Sequence, residues 1–292
     1  MLILLATLFN ISSSWTLMWT DFMFKTGFGV KKTNKTKNLI KQLSHHAISL
    51  VEFTCFLGQK PDEPLVMFGD IIVDPQVRNA DPCTANDCKW PKSSDGKVYV
   101  PYVISNQYST QKKSTIECGL RSFHTKTCIR FVPRTNQQDF LNITSLSGCY
   151  SSVGRRGNGQ VLSLNRDGCV YFSVVQHEIL HALGFHHEHT RRDRDGHVKI
   201  LEKNIEPGKE HNFEKHNTIN LQTPYDYNSI MHYKRCAFSV NGQPTILPIP
   251  DNNVAIGFAT QMSPNDILRI NRLYKCHRCH FKIVINHKSC QN

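Results

Sequence analysis

No stretch of the 292-residue sequence approaches the roughly 18 to 20 consecutive apolar residues that a membrane-spanning helix needs, and no internal repeat is present. Stable membrane insertion and a solenoid architecture are therefore not expected. Blocks of five or six basic residues are missing as well. The 35 Lys and Arg against 23 Asp and Glu give a formal charge of +12, but the surplus is dispersed. Residues 79–276 carry 24 basic and 17 acidic side chains, residues 1–78 carry 8 and 6, and residues 277–292 carry 3 and none. Such a distribution reads as a solvated surface with weak attraction to an acidic matrix, and not as a nucleic-acid interface. With 39% hydrophobic residues, the chain can bury the core of one large or two small domains, which excludes full disorder and collagen-like repeats.

Cysteine, by contrast, is abundant. Eleven in one chain point to an oxidising compartment, because cytosolic thiols stay reduced and seldom accumulate at this density outside metal sites. Residues 1–20 contain no charge, and Leu2 to Phe9 form a short apolar core followed by Ser12, Ser13 and Ser14. This resembles a signal peptide without its basic start, so secretion is expected. Sequons occur at Asn10, Asn34 and Asn142. Residues 21–78 read as a pro-segment, basic and irregular over its first forty residues, and a trypsin-like protease could cut between Arg78 and Asn79. A folded domain is expected over 79–276, with a short basic tail over 277–292.

Structure signals are dense within that domain. Lys97 to Ser105 reads as a strand, with Pro101 marking an edge or bulge. Ser114 or Thr115 can cap a helix whose Ile116, Leu120 and Phe123 form one buried stripe. Cys128 to Val132 and Gln160 to Leu164 read as further strands. Residues 171–183 form a mostly apolar helix stopped by Gly184, and 190–262 is irregular. A last helix has Ser263 as cap, Pro264 at its first position and Asp266 in capping-box position, with Ile267, Ile270, Leu273 and Tyr274 on one face.

The chemistry is carried by 177–187, HEILHALGFHH, which fits H-E-x-x-H-x-x-G-x-x-H throughout. His177 and His181, four apart on a helix, share a face and can reach one Zn²⁺. Gly184 must break the helix so that His187 turns back to the same ion, and three neutral nitrogens leave a coordination position open for water. Glu178 is not needed as a ligand. It would hold the attacking water as general base and pass the proton to the departing amine. His186 and His189 have no ligand claim and read as solvent-facing or supporting histidines. Downstream, SIMHY (229–233) supplies a Met-turn. Met231 reads as a soft apolar floor beneath the histidines, whereas Tyr233 could donate a hydrogen bond to an oxyanion.

These residues resemble the astacin family of metzincins over most of 79–276, on HEILHALGFHHEHTRRDRD (177–195) and SIMHY. NADPCTANDCKW (79–90), PYVISNQYS (101–109), TCIRFVPRTN (127–136), LSLNRDGC (162–169) and QTPYDYNSIMHY (222–233) look like the six-cysteine fish hatching-enzyme (choriolysin) and nephrosin group.

The resemblance implies a secreted zinc metalloendopeptidase, made as a monomeric zymogen and acting on extracellular proteins such as an egg envelope. Its implied fold is α+β and two-lobed, with a twisted mixed sheet and two helices above the cleft, an irregular lower lobe and a C-terminal helix. His177, His181 and His187 would hold the zinc, Glu178 would be the base, and Tyr233 a swinging fifth ligand. An extended substrate would lie along an edge strand. The implied disulfides are Cys83–Cys88, Cys128–Cys276 and Cys149–Cys169; spacing alone leaves the pairing open. By the same likeness Asp70, in a Phe-x-Gly-Asp motif where Met67 replaces Phe, would sit on the zinc in the zymogen, and the Asn79 amine released by cleavage would reach Glu188. The adhesion modules of longer astacins are not expected after the last helix. Cys276-His277-Arg278-Cys279-His280 also fits a haem-attachment pattern, which the implied structural disulfide of Cys276 argues against. A nephrosin-like tissue protease of broad specificity and a non-catalytic matrix-binding protein stay open as alternatives.

Overall fold

Alternation of burial along Val98–Ile104, with Val98 and Val100 fully inside and Tyr99 partly exposed, seats this segment as a strand over an apolar core. In a computed structural model, residues 64–73 and 88–276 are described, all within the compact unit Phe56–Asn292. The expected signal peptide, most of the pro-segment, Arg78, Asn79, Cys83, two of the sequons and the basic tail lie outside these residues.

Seven of the described strands are β1 (Val66–Met67), β2 (Ile71–Ile72), β3 (Val98–Ile104), β4 (Ile129–Pro133), β5 (Phe140–Thr144), β6 (Cys149–Ser152) and β7 (Gly159–Leu164). They form one sheet in the order β1-β2-β6-β7-β5-β3-β4. The pairs β4·β3, β3·β5, β5·β7 and β6·β2 are parallel, whereas β6·β7 and β1·β2 are antiparallel, so the sheet is mixed. Helices α1 (Thr110–Arg121) and α2 (Phe172–Ala182) share a single core with it, built around Phe123, Ile129, Leu141, Ile143, Leu162 and Ile179. Between Gly184 and Met262 the chain makes short 3₁₀ turns and a two-stranded sheet of β8 (Val198–Ile200) and β9 (Ile246–Pro248), over a smaller cluster of Val198, Phe213, Tyr225, Ile246 and Ile256. Helix α3 (Pro264–Leu273) closes the domain with the expected capping box of Ser263 and Asp266. This is the α+β, two-lobed architecture anticipated above.

Two local expectations need correction. Helix α1 begins at Thr110, capped by the Ser109 side chain on Lys112 N, not at Ser114 or Thr115. Polar Gln111, Lys112 and Lys113 in its first turn hide the start from a search for apolar period, although the stripe of Ile116, Leu120 and Phe123 is buried as expected. Pro101 lies in an interior strand, not at an edge. Its missing N–H leaves no gap, because pairing with β5 starts one residue later at Tyr102.

Cys128–Cys276 and Cys149–Cys169 are disulfides, as the likeness implied. The first ties the end of the chain's last described helix to β4 across 148 residues, which in the chain-entropy model restrains the unfolded state by about 5 kcal/mol. It also removes Cys276 from any haem attachment. Cys88 and Cys118 are disulfide-bonded too.

A hairpin and three histidines converge on one candidate active site

Helix α2 is mostly apolar because nearly all of it is interior: Val175, Ile179, Leu180 and Ala182 are buried with Glu178 and His181. It ends in a Schellman motif, in which Phe185 N–H bonds to Leu180 O (3.0 Å) and Gly184 N–H to His181 O (2.8 Å). Gly184 has φ +105°, open to glycine and strained for other residues. The last carbonyls are occupied by side chains from afar, Trp90 Nε1 on Ala182 O and Tyr274 OH on Leu183 O, both at 2.9 Å. The chain then turns so that His187 faces the ring edges of His177 and His181, with ring centroids 5.3 and 4.8 Å away.

His177 Nδ1 donates to Ile230 O and His181 Nδ1 to Phe185 O, each at 2.8 Å. These bonds fix the tautomers, because a carbonyl only accepts, and they leave both Nε2 atoms as lone pairs. The two Nε2 atoms are 3.1 Å apart. Asp70 completes the cluster: Oδ2 lies 3.1 Å from His177 Nε2, and Oδ1 lies 3.2 Å from His181 Nε2 and 3.0 Å from His187 Nε2. Asp70 Oδ1 and His187 Nε2 are buried yet make no aligned hydrogen bond. Four electron-rich atoms facing one another at such distances repel unless a cation lies between them, so the donor set fits a divalent metal held by three imidazoles and one carboxylate. Burial lowers the pKa of His181 and pulls His187 down to about 3, keeping both in the neutral form that binds metal. At His177 burial acts the same way but is outweighed by Asp70, and the net direction is upward. Burial opposes ionisation of Asp70, but His187 and His181 hold its carboxyl well below the usual range.

Asp70 reaches the histidines from the tip of a hairpin. Val66 pairs with Ile72 and Met67 with Ile71, leaving Phe68, Gly69 and Asp70 as the loop. The second arm adds to β6 in parallel, Ile71 beside Ser151 and Ile72 beside Ser152. Phe68 packs edge-on against His216, centroids 4.8 Å apart. Its carbonyl accepts the Tyr233 hydroxyl at 2.7 Å. Tyr233 is thus engaged with the hairpin, its ring centroid 4.5 Å from that of His187. Burial first, then Asp70 and Glu178, push its phenol well above the usual value, so it remains a donor. Glu178 itself is buried, at 1% exposure.

The floor of the site is braced by α3. Asp266 accepts from Ser229 Oγ (2.7 Å) and Ile230 N (3.0 Å) while capping its own helix, and Ile230 is the residue whose carbonyl orients His177. Met231 is buried in the main core, and its carbonyl receives Glu188 N–H at 2.9 Å. Glu188, 2% exposed, accepts from Arg269, Arg191 and Asp226 N. Burial raises its carboxyl against the downward pull of Arg269 and Arg191. His189 is fully buried, stacked at 4.0 Å on Tyr233, with Nε2 on Asn212 O; it supports the site and does not face solvent. Asp266 is visible in the sequence as a cap, and Arg269 shows there only as a charge on an otherwise apolar helix face. Neither signal reveals the second role.

The family model described as Astacin, a family of peptidases, matches residues 84–275. The chain belongs to the astacin family. As an astacin-family metalloendopeptidase it is 53% identical over 215 residues to high choriolytic enzyme 1 of Oryzias latipes, spanning 73% of this chain and 79% of that relative. It is 52% identical over 210 residues to the low choriolytic enzyme of the same fish, spanning 71% and 77%. The solved structure of high choriolytic enzyme 1, a hatching enzyme zinc-protease from medaka, superposes with a TM-score of 0.65 at 55% identity, covering 68% of this astacin and 100% of that chain.

Proposed function

We propose that the chain is a secreted zinc endopeptidase, held latent by residues 21–78 and acting after cleavage at Arg78 on proteins of an egg envelope. One observation carries the reading: the Nε2 atoms of His177, His181 and His187 converge with the Asp70 carboxylate at 3.0–3.2 Å. The three imidazoles would hold one zinc ion, which when bound lowers the pKa of water towards about 7 and polarises a peptide carbonyl. In the latent form Asp70 fills the position that water needs.

Once the hairpin leaves, Glu178 takes a proton from the attacking water and delivers it to the departing amine. Tyr233, released from Phe68 O, donates to the oxyanion that develops on the substrate. Strand β6 loses the partner β2 and regains a free edge for an extended peptide. The egg-envelope substrate is supported by the names of the choriolytic relatives. An extracellular trypsin-like protease is the expected activator.

The test is hydrolysis of casein and isolated egg-envelope protein by the full chain before and after cutting at Arg78, with and without a chelator, beside Glu178→Ala. Loss of the base should cost at least about 10² in rate. A Glu178→Ala protein as active as wild type would overturn the assignment. Uncut Asp70→Ala should be measurably active, and silence in that variant would overturn the latency role.

A further inference from the structure

Asn142 is the middle residue of β5, a position that strands do not favour for asparagine. Its neighbours Leu141 and Ile143 are fully buried in the main core, so alternation along the strand turns Asn142 to the other face of the sheet. Among the described residues its side-chain amide has no hydrogen-bond partner. The residues directly opposite it on the two flanking strands are both valines, Val103 of β3 and Val161 of β7. Val103 is 38% exposed, and Tyr99 on the same face of β3 is 36% exposed. Phe140, two residues before Asn142, leans over Gly159, where an added Cβ would meet its ring at 2.5 Å, and the Arg134 guanidinium lies 3.8 Å from its ring centroid. The surface around Asn142 is thus an open, mostly apolar stripe with one unpartnered amide in its midst.

Asn142-Ile143-Thr144 is also a complete acceptor triplet for N-glycosylation. A folded protein can keep a glycan at such a triplet only where the side chain leaves room for a bulky substituent and the chain has passed through the secretory compartment. The geometry meets the first condition: the amide faces outward and makes no bond that a sugar would displace. Thr144 lies on the same face, its hydroxyl donating to Gln107 Oε1 at 3.0 Å. The Cys128–Cys276 and Cys149–Cys169 disulfides fit the second.

We propose that Asn142 carries an N-linked oligosaccharide whose first sugars lie across Val103 and Val161 on the open face of the sheet. In the transfer, Asn142 Nδ2 bonds to the anomeric carbon of an oligosaccharide carried on a lipid pyrophosphate. The bond from that carbon to the pyrophosphate oxygen breaks, the lipid pyrophosphate leaves with the electron pair, and Nδ2 gives up one proton to a base of the transferase. The sugar C–H faces cover the valines and the hydroxyls meet water, which makes an apolar surface soluble. Strand β7 separates β5 from β6, so the attachment point is about 10 Å from the edge where a substrate would add, and the glycan leaves the cleft open. The proposal rests on the secretion reading above and adds a covalent modification to it.

The experiment expresses the full chain in secreting animal cells as wild type, Asn142→Gln, Thr144→Ser and Thr144→Val. A further wild-type chain, with a borrowed signal peptide in place of residues 1–20, enters the secretory compartment whatever the native leader does. Each product is cut after Arg78 and reduced, so that residues 79–292, in which Asn142 is the one sequon, are weighed apart from Asn34. Wild type and Thr144→Ser should carry a glycan-sized mass that an amide-cleaving glycosidase removes, and Asn142→Gln and Thr144→Val should lack it. Stripping the glycan from the folded protein should raise hydroxyl-radical labelling of Val103 and Val161 and leave casein kcat/KM within about twofold. A borrowed-leader wild type with no glycan on residues 79–292, or a glycan that persists in Asn142→Gln, overturns the proposal. Unchanged labelling of the two valines overturns the placement of the sugars, and a larger change in kcat/KM overturns their distance from the cleft. A native-leader chain that stays inside the cell while the borrowed-leader chain is glycosylated sinks the secretion reading instead, so the two failures are told apart.

Discussion

The hydroxyl of Tyr233 is bonded at 2.7 Å to the carbonyl of Phe68, two residues ahead of the carboxylate that faces the three histidines. One hairpin tip therefore occupies two parts of the site, and Gly69 lies between them at φ +90°. A Cβ built on Gly69 would come within 2.1 Å of the Tyr233 oxygen. Gly69→Ala should therefore loosen the tip, combining a positive-φ cost of about 1–3 kcal/mol with the collision. The uncut variant should hydrolyse casein on the order of 10 to 10² times faster than uncut wild type, and equal silence of the two would count against the hairpin as latch.

Tyr233→Phe separates the two uses of the phenol. In the cut protein it removes the proposed oxyanion donor, for which a loss of about 10² to 10³ in kcat with little change in KM is expected. In the uncut protein the same change removes the bond to Phe68 O, and faster cutting at Arg78 should follow. Steady-state kinetics on the cut form and a cleavage time course on the uncut form measure each part.

What was legible in the sequence follows the range of the interactions. The histidine helix, its Gly184 stop and the Ser263 cap are local, set by a 3.6-residue period and by glycine's access to positive φ, and they stand where expected. The strand order was not legible, since placing β7 between β5 and β6 depends on pairings that no short window encodes. The Ser109 cap is hidden in the sequence because the first turn of α1 is polar. Asp266 shows the limit most plainly: its capping role is written three residues from Ser263, while its hold on Ser229 and Ile230 spans 37 and 36 positions.

That second role of Asp266 predicts a coupled loss. Asp266→Ala removes the acceptor of three buried donors, Ser229 Oγ, Ile230 N and Ser263 N, each left unsatisfied at about 1–3 kcal/mol. Ser263→Ala removes the acceptor of Asp266 N and the donor to Asp226 Oδ2 (2.6 Å), and should cost about 1–3 kcal/mol. Urea unfolding should rank Asp266→Ala as the more damaging by several kcal/mol. Zinc should also leave it faster, because Ile230 O orients His177; equal zinc retention in the two variants would limit Asp266 to capping.

His232 predicts how stability falls in acid. It is 5% exposed and its two nitrogens are committed: Nδ1 donates to Tyr233 O and Nε2 accepts the Tyr225 hydroxyl, both at 2.8 Å. A second proton would have to break the Tyr225 bond. Burial accordingly takes the pKa down to about 4, from an unfolded value near 6.5. Between those values the unfolded chain binds a proton that the folded chain does not, so stability falls as pH drops from about 6.5 and levels off below about 4. From pH 7 to pH 5 this one residue should remove about 2 kcal/mol. His232→Gln can preserve both bonds without titrating, so its urea midpoint should decline less than that of wild type over the same interval. Parallel declines in the two proteins would show that His232 takes up its proton without leaving its partners.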